Sequence, residues 1–303
     1  KGRGSKAPES RVEGLPGRVV ATAGRRVWVR DDEGERTCFL SGQRAVVGDR
    51  VRWIEARGEG GKLVAVEPRR TELVRGEGHG QEQVLAANLQ GLLVVTTPTQ
   101  PPFRGGLLDR YLVAAGICGL DVVIVLNKID LGVPEEVERA LALREETGIR
   151  VVRVCAKSGE GLEEIRALLA ESGEPWAMVG HSGVGKTSIA RSLLPGVDVG
   201  EVGQVSEYWG TGRHTTTGSK LFDVPGGGEL LDSPGIRTFA PGRLGPEEVR
   251  LYFPGTHGLP CKYRDCLHRP GEDGCVLESE LDPELVASYR RLYDEIATTT
   301  GDR

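Results

Sequence analysis

Residues Gly180-His181-Ser182-Gly183-Val184-Gly185-Lys186-Thr187 fit the pattern G-x-x-x-x-G-K-[ST]. Such a loop binds phosphate when it joins a buried strand to the start of a helix. Here an apolar segment ends at Val179, and a helical stretch runs from Ser188 to about Leu194 and Pro195. The glycines let successive backbone N–H groups turn inward around phosphate oxygens, and the helix N-terminus adds its partial positive charge. Gly180 to Ser188 would then cradle a nucleotide, with Lys186 on the β- and γ-phosphates and the Thr187 hydroxyl on Mg²⁺. The competing reading, a chance Gly-rich loop, is disfavoured by the strand and helix on either side. The chain must therefore hold an α/β unit.

A phosphate loop does not choose a base. Asn127-Lys128-Ile129-Asp130 follows the apolar strand Val122–Leu126 and matches the N-K-x-D motif of the GTPase superfamily. Its carboxylate can accept both N1–H and the 2-amino hydrogens of guanine, which adenine does not offer. The next strand ends in Cys155-Ala156-Lys157, similar to the S-A-K loop whose backbone meets guanine O6; Cys stands in place of Ser, and the Ala156 amide is the expected contact.

Asp232-Ser233-Pro234-Gly235 follows Leu230-Leu231 and fits D-x-x-G. Asp232 would hold Mg²⁺ through water and the Gly235 amide would sense the γ-phosphate. In Gly212-Arg213-His214-Thr215-Thr216-Thr217, either Thr215 or Thr216 supplies the remaining Mg²⁺ ligand. Ile236 stands where many GTPases place a water-orienting Gln. Slow turnover is expected unless another group serves, and His214 is the candidate catalytic residue. The alternatives are that His214 holds the loop or meets a partner.

The motif order is therefore base motif, base loop, phosphate loop, switch I, switch II, a circular permutation of the ordinary order. Moving the chain ends to another surface loop can leave sheet and site intact. Switch II then leads directly into the C-terminal residues, so loss of the γ-phosphate is expected to reposition them.

Around this core the texture changes twice. Residues 1–76 read as short alternating strands in Arg18–Val20, Arg26–Val29, Thr37–Leu40, Asp49–Ile54 and Leu63–Val66, consistent with an OB-fold barrel or an SH3-like one. Residues 77–240 alternate strand and helix, the mark of an open doubly wound sheet. Helices are expected over Leu107–Cys118, Pro134–Thr147 and Leu162–Ala170. Residues 241–303 are turn-rich to Cys275 and then helical from Pro283 to Ile296. Within them, Cys261-x4-Cys266-x-His268-x6-Cys275 offers three thiolates and an imidazole within 15 residues. That donor set suits a closed structural Zn²⁺ site, and the few aliphatic residues between Pro254 and Gly274 make a metal the organising element. Reduced, unliganded thiols are the alternative. Cys38, Cys118 and Cys155 are read as packing residues.

Charge divides the chain in the same place. Residues 1–75 carry 17 Lys/Arg against 11 Asp/Glu, a net of +6, while the remainder carries 22 against 33, a net of −11. A basic module on an acidic one suggests nucleic-acid contact through the first, or arginines that only solubilise a small barrel. No apolar run approaches the roughly 20 residues that span a bilayer. Lys1 to Ser10 lacks the apolar stretch of a signal peptide, so a cytoplasmic protein with no membrane contact is expected.

Together these residues resemble the circularly permuted, ribosome small-subunit-dependent GTPases of the RsgA (YjeQ) type. The resemblance runs from about Gly17 to Ile296. It adds Val47-Gly48-Asp49-Arg50-Val51, Ala86-Ala87-Asn88 and Leu108-Asp109-Arg110-Tyr111-Leu112 to the motifs above. It implies an OB-fold first domain, zinc in the third, and a monomer that binds the 30S ribosomal subunit and its 16S rRNA late in maturation. It also implies subunit-stimulated GTP hydrolysis that drives release of the protein and of another assembly factor. Two other classes compete: a small-molecule phosphotransferase, disfavoured by the two switch motifs, and an RNA-binding scaffold that binds nucleotide with negligible turnover, which Ile236 would suit.

Overall fold

The computed structural model describes residues 14–56, 60–76, 82–197, 219–232 and 244–301. Its first five strands are β1 (Leu15–Ala23), β2 (Arg26–Asp31), β3 (Gly34–Phe39), β4 (Arg50–Glu55) and β5 (Gly61–Val66). β1 pairs antiparallel with β2, β2 with β3, and β4 with β5. β3 runs parallel to β5, and β4 pairs back to β1. This closed order is that of an OB-fold and decides against the SH3-like alternative. Strand alternation points Val19, Val27, Val29, Cys38, Val51, Trp53 and Leu63 into the barrel, where they form its core.

A hairpin that the sequence pattern did not reveal follows, β6 (Glu72–Gly76) with β7 (Glu82–Ala87). It joins the barrel to the rest of the chain through residues of the family motifs. Gly48 has φ 91°, and a Cβ there would lie 1.9 Å from the Ala87 carbonyl oxygen, so only glycine fits. Asn88 donates to the Gly48 carbonyl at 3.0 Å and accepts the Arg70 N–H at 2.8 Å. The fully buried Asp49 accepts from Val46 N–H and from the Arg69 guanidinium.

The nucleotide-type sheet runs in the order β10 (Arg150–Val154), β9 (Asp121–Asn127), β8 (Gly91–Thr96), β11 (Trp176–Val179), β13 (Glu229–Asp232), β12 (Ser219–Asp223). The first five are mutually parallel and β12 is antiparallel to β13. Successive residues of β8 and β9 feed opposite faces. Leu92, Val94, Ile124 and Leu126 pack with α1 (Gly105–Ile117) and α2 (Glu135–Glu146), whereas Leu93, Val95, Val123 and Val125 pack with α3 (Leu162–Glu171) and α4 (Lys186–Leu193). Strands buried on both faces explain the unbroken apolar runs in the sequence. Helix α2 starts and ends as electrostatics favours, with Glu135, Glu136 and Glu138 in its first turn and Arg144 in its last, and α3 begins with Glu163 and Glu164.

β1 is long enough to serve two sheets. Leu15 to Arg18 pair with β4 inside the barrel, and past an irregularity between Val19 and Ala21 the same edge pairs Ala21 and Thr22 with Lys220 and Ser219 of β12. Arg18 and Arg30 reinforce that junction by ion pairs to Glu229, and Arg30 also reaches Asp223.

The C-terminal part contains α5 (Pro246–Tyr252), α6 (Leu277–Glu280) and α7 (Pro283–Gly301). Val249, Phe253, Leu285, Tyr289 and Leu292 share a core with Val113 of α1 and Leu143 of α2. Beneath it the buried Asp109 of α1 takes two guanidinium nitrogens of Arg144 at 2.7–2.9 Å and the Ser288 hydroxyl of α7 at 2.6 Å. No helix among the described residues is long and apolar enough to cross a membrane.

Candidate functional site

Because β10, β9, β8, β11 and β13 are parallel, their C-terminal ends share one edge of the sheet. Asn127, Cys155, Gly180 and Asp232 all stand at or just beyond those ends. The chain winds from β8 through β9 to β10, then returns to place β11 on the other side of β8. Ligands of open α/β sheets bind at such reversals, and here the reversal carries the phosphate loop.

Asn127 organises this edge. Its side chain is buried, its Nδ2 donates to the Val184 carbonyl at 2.8 Å, and its Oδ1 accepts the Ala156 N–H at 3.1 Å. One amide therefore ties the base motif to both the phosphate loop and the base loop. The Ala156 amide, expected to face guanine, is held by Asn127 in this structure. Lys128 has φ 66° and donates from Nζ to the carbonyls of Gly183 (2.8 Å) and Gln100 (2.7 Å), so its ammonium braces the phosphate loop against the segment after β8. The Gln100 contact had no sequence signature.

Asp130 lies exposed in the short 3-10 turn Ile129–Leu131. Its Oδ1 accepts from the Cys155 thiol at 3.3 Å. Cys155 was expected only to pack. It is buried, at 2 % exposure, and also orients the base-reading carboxylate. Lys157 is exposed beside it.

In the phosphate loop, Gly180, Gly183 and Gly185 all have positive φ, and Gly185 caps α4. Lys186 donates from Nζ to the carbonyls of Gly180 (2.6 Å) and His181 (3.0 Å), folding over the loop it serves. The His181 Nδ1 lies 2.8 Å from the Ser182 carbonyl. Thr187 is half-buried and Ser188 exposed at the start of α4. His214, Thr215, Thr216, Gly235 and Ile236 lie outside the described residues, as does the side chain of Asp232, whose backbone ends β13.

Far along the chain, Cys261, Cys266, His268 and Cys275 converge, with their ligand atoms all within 4.8 Å of one another. The His268 Nδ1 is 3.5, 3.4 and 3.4 Å from the sulfurs of Cys261, Cys266 and Cys275. Tetrahedral bonds of about 2.3 Å to sulfur and 2.0–2.1 Å to nitrogen would set those separations near 3.5 Å, so the donor set fits a zinc-sized ion. The surroundings hold the ligands in place. Glu272 accepts the N–H groups of Leu267 and Arg269, and the Tyr289 hydroxyl donates to the Leu267 carbonyl. Tyr289 also sets its ring edge-to-face against His268 at 5.7 Å. Burial pushes the Cys266 thiol well above the ordinary thiol range.

The parallel sheet, the phosphate loop at its reversal and the guanine-reading motif beside it define a P-loop GTPase whose motifs run in permuted order. The profile of the RsgA GTPase family matches residues 66–241. The small ribosomal subunit biogenesis GTPase RsgA of Azotobacter vinelandii is 41 % identical over 294 residues, covering 91 % of this chain and 84 % of the relative. Its counterpart in Pseudomonas fluorescens is 38 % identical, covering 95 % and 89 %. Among solved structures, YjeQ from Thermotoga maritima superposes with a TM-score of 0.74 at 28 % identity, over 93 % of this chain and 98 % of that one. YloQ, described as a circularly permuted GTPase, does so at 0.73 over 97 % and 99 %; at 22 % identity it supports the fold alone. The chain belongs to the RsgA GTPase family and is a GTP-hydrolysing enzyme.

Proposed function

We propose that this chain is a GTP-driven switch in late maturation of the 30S ribosomal subunit, slow on its own and stimulated by the subunit. The observation that carries the reading is the Asn127 side chain, which locks base motif, base loop and phosphate loop together in a chain similar to small-subunit biogenesis GTPases. Asp130 accepts from guanine N1–H and the 2-amino group, and O6 meets the Ala156 amide once that N–H turns from the Asn127 side chain. Gly180 to Ser188 wrap the phosphates, with Lys186 on their non-bridging oxygens. Thr187, Asp232 and either Thr215 or Thr216 would hold Mg²⁺, which would supply charge neutralisation for the transferred phosphoryl group. His214 orients the attacking water that Ile236 cannot.

Zn²⁺ on Cys261, Cys266, His268 and Cys275 is structural in this reading, since four protein ligands leave no open position. The working division is an RNA-binding barrel in 1–76, the GTPase unit in 77–240 and the zinc-binding unit in 241–303. The protein acts as a cytoplasmic monomer on 16S rRNA within the subunit, and hydrolysis drives its release and that of another assembly factor.

Steady-state GTP and ATP hydrolysis, alone and with purified 30S or 50S subunits, tests this. Slow GTP-only turnover that rises strongly with 30S is expected, and His214→Ala should remove a rise of about 10²–10⁴-fold. No rise with either subunit would withdraw the ribosomal reading and leave the nucleotide-binding scaffold that Ile236 favours.

A further inference from the structure

The outer wall of the barrel carries a row of four side chains on four adjacent strands. Arg26 of β2 pairs with Phe39 of β3, Phe39 with Lys62 of β5, and Lys62 with Ile54 of β4. Their neighbours Val27, Cys38, Leu63 and Trp53 fill the barrel, so strand alternation turns the row outward. Phe39 is 46 % exposed and Ile54 40 %, with Arg26 and Lys62 exposed on either side of the ring. The Arg26 guanidinium lies 5.9 Å from the Phe39 ring centroid. Arg25, exposed at the β1–β2 turn, adds a third cation.

The next outward positions of β2 are used. Further along β2, Trp28 is packed into the core of the GTPase unit and Arg30 is ion-paired to Glu35 and Asp223. The wall is thus split into a docked half and an open half, and the open half alternates cation, aromatic, cation, aliphatic. Phe39 is absent from the barrel core, which leaves its ring face open between two cations.

We propose that Phe39 is a stacking platform for an unpaired RNA base, with Arg26 and Lys62 taking the phosphates on either side. The proposal rests on the small-subunit reading above and names the chemistry of one contact. A flat π-face flanked by point charges matches a splayed base and its backbone. A duplex hides its base faces, and a protein partner would need acidic groups to meet three cations in a module of net charge +6 over residues 1–75. Strands 2 and 3 are also the wall by which OB-folds bind oligonucleotides.

The test uses the full chain and its Phe39→Ala, Phe39→Trp, Arg26→Ala and Lys62→Ala variants, binding to purified 30S subunits and to deproteinised 16S rRNA. Basal GTP hydrolysis without subunits should be the same in all five, which reports intact folding. Phe39→Ala should bind both probes roughly 5- to 150-fold more weakly with an unchanged salt slope, while Phe39→Trp stays near wild type. Arg26→Ala and Lys62→Ala should each flatten the slope of log affinity against log salt by about 0.7. Wild-type protein that binds neither probe would sink the small-subunit reading itself. If wild type binds and Phe39→Ala binds equally well, or Phe39→Trp fails alongside it, the platform is wrong and that reading stands. A loss on subunits with no difference on deproteinised rRNA would assign Phe39 to a ribosomal protein and equally overturn the proposal.

Discussion

A Cβ placed on Gly185 would lie 2.2 Å from Nδ2 of Asn127. The last residue of β9 and the cap of α4 approach until nothing larger than hydrogen fits between them. Gly185→Ala should push Asn127 off the Val184 carbonyl and leave a buried amide unpaired, costing about 1–3 kcal/mol beyond the backbone strain. At Gly183 a Cβ would meet only Pro101 at 3.7 Å, so Gly183→Ala should show the strain alone, about 1–2 kcal/mol. Titration with a fluorescent GDP analogue should find binding retained at 183 and lost at 185.

Asp130 presents two acceptors to two guanine donors. Asp130→Asn keeps the shape but offers one acceptor and one donor, the pattern that matches the 2-carbonyl and N1–H of xanthine. GTP affinity should fall about 10- to 150-fold, as expected for a lost charge-assisted hydrogen bond. Xanthosine triphosphate should become the better substrate in a competition assay. Unchanged preference for GTP would show that another group reads the base.

The thiol of Cys155 holds Asp130 only weakly, since S–H is a poor donor. Cys155→Ser should tighten GDP binding slightly, and Cys155→Ala should weaken it by less than about tenfold. Both should leave the melting curve nearly unaltered if the role is orientation of the carboxylate. A large loss of stability in the serine variant would instead mark the site as one that tolerates no polar atom.

Removing one sulfur from the Cys/His cluster should release the metal. Cys266→Ser is expected to reduce bound zinc, measured by a chromogenic chelator after unfolding, from one equivalent to well below half. The segment from Pro254 to Val276 should then become protease-sensitive, while the apolar contacts of Phe253, Leu285 and Leu292 keep α7 docked. Full zinc retention would contradict the assignment.

Asp109 and Arg144 form the most buried ion pair described, at 0 and 3 % side-chain exposure. Breaking it leaves an uncompensated charge, so Asp109→Ala or Arg144→Ala should cost about 3–5 kcal/mol in urea unfolding. Ser288→Ala removes one hydrogen bond and leaves the pair, for about 1.5–3 kcal/mol.

Much of this was legible from residue order. The phosphate loop, Asn127–Asp130, the strand at Val122–Leu126 and the Cys/His cluster each carry a local pattern, and helices α1 to α3 fell within two residues of their expected ends. What escaped depends on contacts between distant segments. The β6–β7 hairpin is short and charged, so its alternation is faint. Cys155 looked like packing because its partner, Asp130, is 25 residues away. Nothing in Ala21 or Lys220 announces that they pair, since a single bridging register leaves no periodic trace. The motifs around Gly48 and Asn88 were recognisable as words, yet their meaning as a joint came only from a 1.9 Å approach.

Because β1 gives one edge to the barrel and then to β12, the barrel is carried by the hairpin that leads to Asp232. The shared backbone is two residues wide, and the angle across it is braced by Arg18 and Arg30. That strand pairing does not stand alone, since Trp28 and Val47 of the barrel share a buried core with Leu73, Ala86 and Leu92, and only the guanidinium braces at its half-buried rim weaken as salt screens them. The barrel is therefore seated rather than slung: a buried apolar joint fixes its place, and ionic strength trims only the charged rim.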